Sequence, residues 1–158
     1  MPLSIRELEQ LYRSRYSDFV RVASAISGSE ASGADAVQDA FAKAIRSRKD
    51  FRGDSALEAW VWRIVVNTAR SARVRERRQA LAPSGWEGNG SSASDRDSEV
   101  LGWIAALPER QRETVFLRYF ADLDYRTIST ILEIEVGTVS ATLSAAHRNL
   151  RRAMEATR

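Results

Sequence analysis

The clearest pattern of apolar and polar positions lies near the C-terminus. Between Tyr125 and Leu150, the residues Ile128, Ile131 and Leu132 form one helical apolar stripe, and Val139, Leu143, Ala146 and Leu150 form a second. A short break, Glu133 to Gly137, separates them. Two short helices with so tight a joint pack at a steep angle, which turns the second one outward. That geometry suits a helix entering a DNA major groove. Upstream, Val100, Trp103, Ile104 and Leu107 predict a helix, Pro108 suits the first turn of the next, and Val115, Phe116, Tyr119 and Phe120 supply its apolar positions. The N-terminal half follows the same period. Ile5, Leu8, Leu11 and Tyr12 begin it, Phe19, Val22, Ala23 and Ile26 continue it, and Ser27 to Gly33 breaks it. Asp35 is expected to cap the next helix, in which Val37, Phe41, Ala44 and Ile45 share a face. After a loop at Asp50 to Ser55, Ser55 and Glu58 read as a capping box for a long helix from Ala56 to about Arg78, with Trp60, Ile64, Val61 and Val65 turned inward. No useful stretch alternates like a strand.

Residues 83–98, PSGWEGNGSSASDRDS, lack an apolar period and are rich in Gly, Ser and Asp, a linker composition that includes an isolated Trp86. The expected fold is all-α: a helical domain at 1–80, a flexible linker at 81–98 and a second helical domain at 99–158. The length of 158 residues fits two small domains.

Composition then narrows the chemistry. Cysteine is absent and His147 is the only histidine, which argues against a disulfide framework, thiolate chemistry, histidine triads and His/Cys metal sites. No apolar run spans a bilayer and the first residues do not read as a signal peptide, so the reducing cytoplasm is expected, with no membrane insertion. No cofactor or small-molecule substrate is expected. The net charge is only +3, but residues 51–80 carry seven Arg against three acids while residues 81–106 carry one Arg against four. A basic segment attracts polyanions by neutralising phosphates and releasing counterions. Part of that charge has a structural use, since Arg70, Arg73, Arg75, Arg77 and Arg78 sit at a helix C-terminus and complement its dipole.

Three pieces, in order, carry a family resemblance. Asp35-Ala36-Val37-Gln38-Asp39-Ala40-Phe41 resembles the core-polymerase-binding helix of sigma region 2. Phe51 to Arg70, FRGDSALEAWVWRIVVNTAR, resembles the minus-ten-recognition loop and helix of that region. Leu107 to Phe120, LPERQRETVFLRYF, together with the helix-turn-helix, resembles sigma region 4. The chain is similar to bacterial RNA polymerase sigma factors of the sigma-70 family, in the extracytoplasmic-function group.

The resemblance implies a promoter-specificity factor whose partners are bacterial core RNA polymerase, promoter DNA and an anti-sigma factor. It assigns Asp35, Gln38 and Asp39 to the polymerase, where an acidic helix face suits an Arg-rich partner. It assigns Arg52, Gly53, Asp54, Ser55, Ala56 and Asn67 to the minus-ten element, where a flipped base needs a snug pocket and Asn67 offers both donor and acceptor. Trp62, placed on a different face from Trp60, is expected to stack on single-stranded DNA. Arg70, Arg73, Arg77, Arg148 and Arg151 are expected on phosphates, which position without specifying sequence. Thr138, Ser140, Ala141, Thr142 and Ser144 are expected at the minus-thirty-five element. Members of the family usually carry Lys or Arg near positions 140, 142 and 145, where this chain has Ser140, Thr142 and Ala145. At the joint, Glu133 stands where glycine would enter a left-handed conformation more easily. Two other classes compete. A stand-alone helix-turn-helix regulator accounts for 107–152 but leaves the N-terminal motifs without a job, and a metal-dependent enzyme would have to use the scattered Asp35, Asp39, Asp50 and Asp54.

Overall fold

A computed structural model describes residues 2–54, 56–79 and 95–157. Ser55, with the capping box expected there, and residues 80–94, with most of the expected linker and Trp86, lie outside these residues. The described residues are helical with no strand. The order is α1 (Ile5–Ser27), α2 (Glu30–Arg46), a short 3-10 turn (Arg48–Asp50), α3 (Leu57–Gln79), α4 (Asp95–Ala105), α5 (Glu109–Val115), α6 (Tyr125–Leu132) and α7 (Val136–Ala156).

The first three helices pack on one another. Helix α1 starts at a capping box in which the Ser4 hydroxyl accepts from the Glu7 N–H and the Glu7 carboxylate accepts from the Ser4 N–H. It ends at Gly28, whose φ of 108° turns the chain sharply into α2. The cap of α2 is Ser29, whose hydroxyl accepts from the Ser32 N–H, and not Asp35, which stands exposed inside the helix. A serine with a glycine four positions on looked like a break, but Gly33 serves packing. A Cβ on Gly33 would lie 2.1 Å from Ser24 Oγ, so the two backbones cross closely there. The core of this half holds Phe19, Val22, Ile26, Val37, Phe41, Val61 and Val65, all buried.

Trp62 corrects the sequence reading. It is 0% exposed and its ring sits 4.3 Å from that of Phe19. Trp60 is the partly exposed tryptophan, 5.3 Å from Phe51. Positions 61, 62, 65, 66 and 69 all point inward, so the apolar face of α3 is wider than the stripe expected from Trp60 and Ile64.

In the C-terminal half, helix α4 begins at Asp95, inside the segment expected to be linker. Pro108 caps α5, one position before the helix, where its missing N–H costs nothing. Phe116–Phe120 continue α5 as a wider π-type turn, with the Ala121 N–H reaching back to the Phe116 carbonyl at 3.0 Å. That extra residue changes the helical phase. Leu117 faces the core, and Tyr119, expected inward, is exposed and hydrogen-bonds His147 at 2.9 Å.

Helices α6 and α7 form the expected helix-turn-helix. The Asp124 carboxylate caps α6 by accepting from the Thr127 N–H at 2.7 Å. The joint turns on Glu133 at φ 57° and ψ 45°, the left-handed conformation that glycine would adopt more easily. Val139, Leu143 and Ala146 bury one face of α7 against α5 and α6.

Candidate nucleic-acid interface

Helix α2 presents Asp35, Gln38 and Asp39 together on its exposed side. Among the described residues neither carboxylate makes an ion pair. Lys43, the nearest cation one turn on, donates to the Thr68 hydroxyl at 3.3 Å. The face is therefore acidic and open to a cationic partner.

The loop before α3 exposes Arg52, Gly53, Asp54 and Ala56. Gly53 has φ 79°, a conformation that L side chains rarely adopt. The aromatic pair Phe51 and Trp60 flanks this loop, and Trp60, not Trp62, has ring surface available to a base. Asn67 is exposed further along α3, and its Oδ1 lies 3.5 Å from Arg70 Nη1. Arg63, Asn67 and Arg70 repeat at helical spacing and share one polar side of α3. Sequence reasoning left Arg63 out of the candidate site, although the i, i+4, i+7 spacing of Arg63, Asn67 and Arg70 was visible, and turned Trp60 inward, where the structure leaves it partly exposed.

The arginines expected on phosphates divide into two groups. Arg77 is exposed at the end of α3, as are its neighbours Arg75 and Arg78. Arg70 and Arg73 are engaged within the protein instead. Arg70 grips the Glu113 carboxylate through Nε at 2.7 Å and Nη2 at 2.5 Å. That hydrogen bond raises the Arg70 pKa. Arg73 donates to the Ile26 carbonyl at 3.2 Å, one of the last carbonyls of α1. Burial, followed by repulsion from Arg77, lowers the Arg73 pKa.

On α7, Thr138, Ser140, Ala141 and Ser144 are exposed on the first turns, opposite the buried Val139 and Leu143. Thr142 is partly buried, and its hydroxyl donates to the Thr138 carbonyl at 2.6 Å, which leaves mainly its methyl for an outside contact. Further along, Arg148 and Arg151 are exposed. The outward face of the helix start is thus small, hydroxylated and uncharged. It can make methyl and hydroxyl contacts to base edges, with arginines following for phosphates.

Among the described residues no group of His, Cys, Asp and Glu could hold a metal ion. No helix there is long and apolar enough to cross a membrane.

The family model "Sigma-70 region 2" matches residues 11–79 and "Sigma-70, region 4" matches residues 99–150. The chain is 35% identical over 123 residues to the ECF RNA polymerase sigma-E factor of Escherichia coli, a match covering 66% of this chain and 64% of that protein. It therefore spans just under two thirds of the sigma-E relatives. It is 32% identical over 139 residues to the RNA polymerase sigma-H factor of Pseudomonas aeruginosa, covering 77% of this chain and 72% of that one. Among solved structures, the sigma factor RpoE in complex with the anti-sigma factor NepR from Bartonella quintana matches with a TM-score of 0.81 at 21% identity, over 98% of this chain and 100% of that one. CnrH in complex with the cytosolic domain of CnrY matches with a TM-score of 0.76 at 21% identity, over 97% and 90%. With regions 2 and 4 matched in order and 72% of the sigma-H factor covered, the chain belongs to the sigma-70 family of RNA polymerase sigma factors.

Proposed function

We propose that this chain is a promoter-specificity factor. It binds core RNA polymerase through Asp35, Gln38 and Asp39 on α2, and it catalyses nothing itself. The loop Arg52 to Ala56, with Asn67, receives the minus-ten element and helps to hold a base out of the stack. Arg77 holds duplex phosphates near the end of α3. Thr138, Ser140, Ala141, Thr142 and Ser144 at the start of α7 approach the upstream promoter element, with Arg148 and Arg151 on its backbone. Trp60 takes the stacking role that its buried neighbour Trp62 cannot fill. The work is done in the cytoplasm, and an anti-sigma factor is the expected partner, as NepR is for RpoE.

One observation carries the reading. An unpaired acidic helix face and a separate amide-bearing, arginine-flanked helix occur in one chain ahead of a helix-turn-helix. A stand-alone DNA-binding protein has no use for the first two. The test separates their jobs. Asp39→Ala should weaken binding to core polymerase while leaving the unfolding transition unchanged. Asn67→Ala should bind polymerase normally and fail in promoter opening, read by permanganate footprinting of the minus-ten region. Equal defects of both variants in both assays would defeat this assignment.

A further inference from the structure

Among the described residues of α3, Val74 is the one large apolar side chain left exposed, at 50%. The helix does not need it for packing, since Val61, Val65, Ala69 and Ala72 are buried on the opposite side. At about 100° per residue, Val74 falls within about 60° of Arg63, Asn67, Arg70, Ser71, Arg77 and Arg78. It therefore stands in the same line as Arg63, Asn67 and Arg70, one turn further along.

The charge around Val74 has one sign. Arg75, Arg77 and Arg78 are exposed beside it. Glu76, the acid between Arg70 and Gln79, turns the other way: its Oε2 lies 3.9 Å from where a Cβ on Gly28 would stand, over the end of α1. Single apolar residues on a surface are ordinary. An apolar residue set among arginines, in line with an amide, faces a polyanion, and neither phosphate nor water offers a valine anything. A thymine does. Its C5 methyl group stands in the major groove and is read by apolar contact, which needs no donor or acceptor. Seven residues separate Val74 from Asn67, about 10 Å along the helix at roughly 1.5 Å per residue. That is roughly three base-pair steps of about 3.4 Å.

We propose that Val74 is a specificity-determining residue: in the polymerase-bound protein it packs against the C5 methyl group of a thymine in the duplex adjoining the minus-ten element. The contact lies between the base that Asn67 reads and the phosphates that Arg77 holds. Cytosine at that step presents no methyl group and loses the contact, so the promoters of this chain carry thymine there. The inference rests on the proposed role of α3 in DNA binding.

The test uses holoenzyme reconstituted from the full chain and bacterial core polymerase. The probe is a pool of duplexes randomised across the minus-ten element and the base pairs next to it, and the duplexes that holoenzyme retains are sequenced. The parent should favour thymine over cytosine about fourfold at one position, the worth of one buried methyl group. Val74→Ser should lose that preference and keep the rest of the selected sequence. Val74→Thr, which retains one methyl group, should fall between them. On a single selected duplex, replacing that thymine by uracil removes only the methyl group. It should weaken the parent about fourfold and leave Val74→Ser unchanged, and 5-methylcytosine in place of cytosine should restore parent binding. Because Val74 is exposed, both variants should unfold and co-elute with polymerase like the parent. A Val74→Ser defect equal on thymine and uracil duplexes would assign the side chain to sugar or backbone and overturn the proposal, and a loss of polymerase binding would place it on protein and do the same. A parent that selects a minus-ten sequence with no thymine preference dependent on Val74 removes this inference alone. A parent that gives no polymerase-dependent selection removes the proposed function.

Discussion

Replacing Gly33 by alanine should loosen the N-terminal half, although alanine is the better helix former. A Cβ at this position would lie 2.1 Å from Ser24 Oγ and 2.5 Å from the Ser24 Cα and N. The hydroxyl can rotate away, but the backbone atoms cannot. Ordinary contact begins at 3.4 Å, so α1 and α2 must separate by about 0.9 Å at their crossing. Such a gap forfeits a quarter to a half of the dispersion energy of the atoms lining it. Overpacking of this kind costs about 1–3 kcal/mol. Alanine's helix preference returns roughly 0.5–1 kcal/mol. The net loss is then about 0–2.5 kcal/mol, centred near 1 kcal/mol, or a fall in Tm of roughly 2–4 °C at the centre for a chain of this size. Gly102→Ala is the matched control, since nothing lies within 4 Å of its Cβ position. It should be stabilising by about 0.5–1 kcal/mol. Thermal and urea unfolding of both variants would measure the pair. A Gly33→Ala protein stabilised as much as Gly102→Ala would refute the close crossing.

Trp62→Ala should cost about 3–5 kcal/mol of stability, as for a fully buried aromatic, while Trp60→Ala should cost less and impair promoter opening. Urea denaturation with a permanganate opening assay checks both, and a stable Trp62→Ala protein with an opening defect would reverse the two roles. Asp124→Ala should cost about 1 kcal/mol at neutral pH by removing the α6 cap. Hydrogen bonds from Thr127 hold the Asp124 pKa below its ordinary 3.8, so the carboxylate's contribution is complete above that value and is lost as pH falls through the lowered one. The stability gap between parent and variant should therefore narrow as the pH falls below 3.8, and unfolding curves at neutral pH and in successively more acid buffers would show whether it does. Asp122 has φ 56°, so Asp122→Gly should relieve a left-handed residue and leave Tm unchanged or raised by the equivalent of up to ~1 kcal/mol. A clear fall would mean that its side chain has a partner.

The helices were legible because their apolar stripes are long and regular. Ile128, Ile131 and Leu132, then Val139, Leu143 and Ala146, are the residues that bury the helix-turn-helix. Glu133 was legible too, since a joint this short requires a left-handed residue. What the sequence concealed depended on contacts between distant segments. Gly33 looks like a breaker until its approach to Ser24 is seen. Trp62 looks outward if α3 has one narrow apolar stripe. Because α3 packs on both α1 and α2, its buried face is wide enough to include Trp62. The π-type turn at Phe116–Phe120 shifts the helical phase, and nothing in local propensity marks it. Arg70 reads equally well as a phosphate ligand or an ion-pair partner, because both use the same guanidinium. Only its distance to Glu113 decides which it is in this state.

Co-elution of the purified protein with bacterial core enzyme lacking sigma decides whether this chain directs core RNA polymerase to promoters. Co-elution at near-equal stoichiometry, reduced in Asp39→Ala, is the expected result. A chain that binds promoter duplex alone and never co-elutes with the polymerase would contradict it.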